Sequence, residues 1–332
     1  MMTKIRAVVG ILPPLTTEIR KGFMWLINRH EDLVWITGGA GLGYATLLAF
    51  FLGAPVVPFS LFMVLLLESP HVFATATRSY LDGEERRKQG AFLLLVIPLC
   101  LVGPFMLWLG LGTAFFTIAV LWLHFHIAKQ HVGFVMLYKR KAGETDDIEL
   151  DKYFLLGSLT LPLILFVFRD HLSQRVILVT IFIYAAVALW YSLRQFDRRQ
   201  SVTQQKLLLM GLVIPLQWLA FGFAATPAGG GIRTAGIIIT FCHSMQYHRL
   251  MRLYHTAERR EKPESKKLWH TLGGYLFVIL SLNIVLYVVP GLATSGDVMI
   301  AALWGLSFQH YLLDGRIWKT KDYPIFRKAL GI

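Results

Sequence analysis

Long uninterrupted apolar blocks, with neither strict alternation nor an amphipathic stripe, dominate the chain from residue 33 to residue 314. Ten of them approach the length that crosses a hydrocarbon core of about 30 Å. They cover 33–53, 57–80, 91–110, 113–138, 153–168, 175–195, 207–225, 234–254, 268–290 and 297–314. Lipid offers the backbone no hydrogen-bond partner, so blocks of this length must be helices. The expectation is an all-α, polytopic membrane helical bundle of about ten transmembrane helices. Residues 1–32, amphipathic around 15–29, read as a cytoplasmic or interfacial segment, 33–314 as the transmembrane domain, and 315–332 as a cytoplasmic tail. The fifth block is short, and eight spans with one re-entrant pair is the competing count.

Charge supports the larger count. With the N-terminus inside, the inner segments hold 28 of the 33 Lys and Arg residues, and the outer loops only Arg169, Arg175 and Arg233. Such a bias is the positive-inside pattern, with both termini cytoplasmic in a bacterial-type inner membrane. It also accounts for the net charge of +13 without nucleic acid. The inner basic clusters then read as topology signals and lipid-headgroup contacts.

Composition agrees. Charged residues make up 16% of the 332, against about 25% in soluble domains. Mean hydropathy is +0.54. Cys100 and Cys242 lie inside apolar blocks and form neither a disulfide framework nor a CxxC metal motif. Pro13-Pro14 and scattered charges argue against a signal peptide.

Against this background the polar residues within the spans stand out, because each is costly in lipid and needs a partner or a task. Four of the five helices expected to run from outside to inside place histidine near the inner end. The second holds Glu68 and His71, followed by Thr75 and Arg78; the fourth His124, His126, Lys129, Gln130 and His131; the eighth His243, Gln246, Tyr247 and His248; the tenth His310, Tyr311 and Asp314. Four parallel helices with imidazoles at one depth are how bundles build metal sites.

Spacing refines the set. Glu68 and His71 are i, i+3, and His310 and Asp314 i, i+4, so each pair shares a helix face. The carboxylates serve either as ligands or as acceptors that fix an imidazole tautomer. His126–His131 and His243–His248 are i, i+5, about 140° apart on an ideal helix. That suits two ions side by side, or a π-bulge. Pro70 loosens the second helix beside His71. Whether His124 or His126 partners His131 stays open. The candidate ligands are Glu68, His71, His124, His126, His131, His243, His248, His310 and Asp314, with Tyr247, Tyr311, Gln130 and Gln246 orienting ligands or bound oxygen. Imidazole and carboxylate without thiolate suit Fe, Zn or Mn, and facing histidines also suit haem.

His126-xxxx-His131 and His243-xxxx-His248 match the H-x₃₋₄-H form, and the pattern resembles the membrane histidine-box di-iron desaturases, hydroxylases and alkane monooxygenases. The chain has no H-x₂₋₃-H-H box. Isolated histidines on separate helices, one in the Pro70-His71 context, are similar to the bacterial Brp/Blh carotene dioxygenases. Both resemblances imply iron, O₂ and an apolar substrate reached through the bilayer.

The expectation is thus an iron- and O₂-dependent membrane oxidoreductase, its iron dinuclear, acting on a lipid, isoprenoid or other apolar substrate. Membrane lipids and an electron-donor protein are its expected partners, and nucleic acid is not. The alternatives are a zinc hydrolase of lipid amides or esters and a non-enzymatic haem or transport protein. His30, His171, His255 and His270 read as ordinary interfacial residues, Lys129 as snorkelling to the inner surface, and Trp122 and Trp304 as packing. Gly38–Gly43, a phosphate loop only superficially, reads as close helix packing. Gln-x₇-Tyr recurs at Gln130–Tyr138 and Gln246–Tyr254, the mark of a distant internal duplication.

Overall fold

The computed structural model describes residues 24–199, 203–290 and 297–332; the expected interfacial stretch lies outside the described residues as far as residue 23. Among the described residues there are helices and turns but no strand. The main helices are α1 (Arg29–Phe51), α2 (Val56–Thr77), α3 (Gly83–Trp108), α4 (Gly112–Ala142), α5 (Ile148–Phe168), α6 (Gln174–Asp197) and α7 (Gln204–Ala224). They continue as α8 (Ile232–Glu261), α9 (Leu272–Asn283), α10 (Asp297–Ile317) and α11 (Pro324–Leu330).

Helices α1 to α7 are long and apolar enough to cross a membrane. The 30-residue α8 and 21-residue α10 are long enough too, but they bear the polar residues singled out above, which lower their hydropathy. Helix α9 is a shorter apolar helix prolonged by a π turn. On α6 only Tyr191 and Gln195 are buried, while Phe182, Ile183, Leu189 and Leu193 are exposed. A water-facing surface would not tolerate so long an apolar flank.

Helices α3 and α5 begin five or more residues earlier than the apolar pattern predicts. Asp82 caps α3 by accepting hydrogen bonds from the Glu84 and Glu85 amides at 2.8 and 3.2 Å, so the charged stretch ahead of residue 91 is helical. Helix α5 starts at Ile148 and brings Asp151 into the protein, which explains why its apolar block is short.

Helix α8 lies at the centre, against α1, α2, α4, α7 and α11. Glycine permits its closest approach. A Cβ on Gly39 would lie 2.5 Å from Cys242 Cα, and one on Gly43 2.7 Å from the Ile238 carbonyl oxygen. The expectation of close packing at Gly38–Gly43 is met there. The same device joins α3 to α10, where a Cβ on Gly305 would lie 2.4 Å from Cys100 Cα and one on Gly103 2.5 Å from the Ala301 oxygen. Gly39→Val is therefore expected to push α1 off α8 at a cost of about 1–3 kcal/mol. Thermal denaturation in detergent checks it; an unchanged midpoint would remove the packing role.

Two basic residues counted as surface signals are instead buried. Lys139 and Lys206 are 2% and 0% exposed and pair with the buried Asp151 and Glu144. Buried ammonium groups require such partners. Gly143 makes the turn possible: at φ +67° it caps α4 and folds Glu144 back onto the pair. His255 and His270, expected at the interface, are also buried; His270 Nε2 donates to Glu258 at 3.1 Å. Arg78, at the end of α2, is fully buried among Tyr254, Trp318, Tyr323 and Phe326, its guanidinium carbon 3.8 Å from the Tyr254 ring centroid. This cation–π box ties α2 to α8, α10 and α11.

Candidate metal centre

Five of the polar residues of α2, α4, α8 and α10 come together. His71 Nε2 lies 3.1 Å from both His243 Nε2 and His310 Nε2. On the other side of His310, Asp314 Oδ2 is 3.5 Å from its Nε2 and 3.8 Å from His126 Nε2. His71, His243 and His310 form one group whose ligand atoms lie close enough to hold an ion, and His126, His310 and Asp314 another. All five are buried.

Local structure explains how α2 delivers His71. Pro70 has no N–H to give to the carbonyl of Leu66, and the turn just before it widens into a π turn over Val64–Glu68, with the Ser69 amide bonding back to Val64. The loosened segment is on α2; α4 and α8 run as continuous α-helices through their histidine pairs. Their i, i+5 spacing therefore splits each pair. His126 and His243 point into the cluster, and His131 and His248 do not belong to it. His248 Nε2 donates to the Leu67 carbonyl at 3.3 Å and its Nδ1 accepts from the Tyr275 hydroxyl at 2.8 Å, so both nitrogens are engaged. His131 is buried with Nδ1 unpartnered. The choice on α4 falls to His126, because His124 Nε2 donates to the Leu159 carbonyl on α5 at 2.9 Å.

The surrounding hydrogen bonds assign the tautomers. Glu68 Oε2 lies 3.3 Å from His71 Nδ1 and also accepts from Ser244 at 2.8 Å. As an acceptor it keeps the proton on Nδ1 and leaves a lone pair on Nε2. Around His310 a chain does the same. Tyr247 donates to Asp314 Oδ1 at 3.1 Å, Thr75 to the Tyr247 oxygen at 2.5 Å, and His310 Nδ1 to Thr75 at 2.6 Å. At least two Nε2 lone pairs thus face each other at 3.1 Å. Such a contact repels unless a cation sits between them, and the Nε2 of His126 is likewise without a partner.

The donor set fits a first-row metal ion. Imidazole nitrogens 3.1 Å apart with a carboxylate alongside are a donor set of the kind such ions take.

No family model, curated protein or solved structure matches the chain.

Of the residues expected to orient ligands, Tyr247 donates to Asp314 at 3.1 Å, and Tyr311 stacks on the His126 ring with centroids 4.3 Å apart. Gln130 and Gln246 brace helices instead: Gln130 donates to the His243 carbonyl and to Gln246, which donates to the Ile36 carbonyl. Thr75 and Ser244 escaped the sequence reading as ligand-positioning residues, although Thr75 lies one turn beyond His71 on the same face. Thr75→Val removes the acceptor of His310 Nδ1 and is expected to weaken metal binding about 10–100-fold. A chelator-competition titration measures it; unchanged affinity would reduce Thr75 to packing.

Two cavities flank the centre. One, of about 630 Å³, reaches His126, Tyr311 and Asp314 and runs between α4 and the end of α10. The other, of about 540 Å³, is bounded by Glu68, His124 and Tyr311 and by apolar side chains of α2, α4, α8 and α10. Trp122 lines the first and Trp304 the second, so these indoles form cavity walls besides packing on Phe308.

Proposed function

We propose that the chain is a ten-span membrane metalloenzyme, an iron- and O₂-dependent oxidoreductase acting on an apolar substrate at a centre near the cytoplasmic face. Both termini are then cytoplasmic. The observation that supports it best is the convergence of His71, His243 and His310 at 3.1 Å, with His126 and Asp314 alongside. His71, His243 and His310, or His126, His310 and Asp314, would hold the ion, with His310 common to both groups.

The centre reads as mononuclear rather than dinuclear. The two groups of ligands share His310, and its Nε2 has a single in-plane lone pair that binds one ion. Nitrogens 3.1 Å apart also leave no space for a porphyrin between them, which disfavours haem. Iron at this position would supply O₂ activation. The chain itself does the rest. Thr75 and Glu68 hold the ligand rings, Tyr247 keeps its proton on the bond to Asp314, and the apolar walls exclude water and admit a hydrophobic substrate.

Elemental analysis of protein purified without chelators is expected to give about one iron per chain. One zinc would turn the reading toward the hydrolase, and metal-free protein after gentle purification would reject the centre.

A further inference from the structure

The larger cavity has a polarity that the proposed reaction does not require. On α4 its wall descends from His126 through Lys129 and Leu137 to Arg140, and across from it stand Asp314, Trp318, Lys319 and Lys321. His126 to Arg140 spans about 21 Å at 1.5 Å per residue, more than the roughly 15 Å half-thickness of a bilayer core. The body of the cavity is apolar. Arg140, Lys319 and Lys321 line its far part, and Lys129 stands on the α4 wall one turn from His126; all four are exposed. The only carboxylate lining it among the described residues is Asp314, at the opposite, metal-facing end and engaged by Tyr247. Lys129, expected to snorkel, is exposed in this wall.

We infer that this cavity binds a single-chain amphiphile with an acidic head group, its head at the Arg140–Lys319–Lys321 rim and its apolar chain directed toward His126. Charge complementarity selects the head: three cations at a rim with no carboxylate among its described lining residues favour a phosphate or carboxylate over a neutral head. The volume of about 630 Å³ suits one long chain and is too small for a diacyl lipid. The inference rests on the metal-centre reading only in making the buried end of the chain the reacting end.

The test uses the full-length protein in uncharged detergent. Brominated C12 probes with phosphate, carboxylate or alcohol heads are titrated against tryptophan fluorescence, which Trp122 and Trp318 in the wall report. The acids are expected to bind at least about 10-fold more tightly than the alcohol. The triple variant Arg140→Ala/Lys319→Ala/Lys321→Ala should abolish that preference, while Arg259→Ala/Arg260→Ala/Lys266→Ala, which removes as many exposed charges elsewhere, should retain it. Equal binding of acid and alcohol, or a preference that survives the rim variant, overturns the inference. So does displacement of the probe by inorganic phosphate alone or by phosphatidylglycerol at the same concentration. Iron measured on the same preparations separates the two readings: metal-free protein that still prefers the acids retains the cavity assignment and rejects the metal centre.

Discussion

Replacing His310 by alanine is expected to empty the metal centre. His310 belongs to both ligand groups, so its loss leaves only the pair His71 and His243 and the pair His126 and Asp314. Loss of an outer hydrogen-bond partner alone weakens metal binding about 10–100-fold, and loss of a shared ligand should exceed the upper figure. Metal per chain should fall below about a tenth of the wild-type content. His124→Ala and His248→Ala provide the contrast, because their nitrogens are committed to Leu159 and to Leu67 and Tyr275. Both variants should keep their metal. Circular dichroism on the same samples distinguishes lost ligation from lost fold. Wild-type metal content in folded His310→Ala protein would overturn the site.

The second large effect is on stability. Asp151 accepts hydrogen bonds from Lys206 at 2.7 Å and from Tyr191 at 2.6 Å and also pairs with Lys139, while Glu144 bridges Lys139 at 2.7 Å and Lys206 at 2.5 Å. Two cations and two anions balance each other in a site closed to solvent. Asp151→Asn leaves a surplus buried positive charge and is expected to cost about 3–5 kcal/mol, whereas Asp151→Asn with Lys206→Met restores balance and should recover much of it. Denaturation in mixed micelles measures both; a single variant as stable as the double would show that the ions act independently. The network also predicts a pH dependence. Burial raises the Glu144 carboxyl, but hydrogen bonds from Lys139 and Lys206 outweigh it and hold the group below its ordinary value of 4.5. A depressed pKa means that the stabilisation is complete above about 4.5 and drains away as pH falls through the lower, folded-state value. Glu144→Gln should flatten that acid limb.

The centre was legible because His71, His126, His243, His310 and Asp314 are anomalies in apolar blocks and share a position relative to the basic flanks. Which member of an i, i+5 pair faces inward was not legible. A helical wheel gives the 140° between His126 and His131, but the direction of the neighbouring helices comes only from packing. Thr75 was inconspicuous for a related reason: a hydroxyl in a helix usually bonds its own backbone, and only the proximity of α10 gives it His310. Hydropathy likewise misplaced the starts of α3 and α5. Charged residues such as Glu84 and Asp151 end an apolar block without ending a helix.

The π turn of α2 has a geometric result of its own. It adds a residue without adding a turn, so everything after Glu68 is rotated by about 100° from where an unbroken α-helix would put it. The two halves of α2 therefore keep different phases. Ser60, Met63 and Val64 of the first half and Ser69, Val72 and Phe73 of the second all line the 540 Å³ cavity, and the second half also presents His71 and Thr75 to the imidazoles of α8 and α10. One helix thus serves as chamber wall and as ligand arm, and deleting a single residue between Val64 and Glu68 would bring both halves into one phase and swing His71 away from its partners.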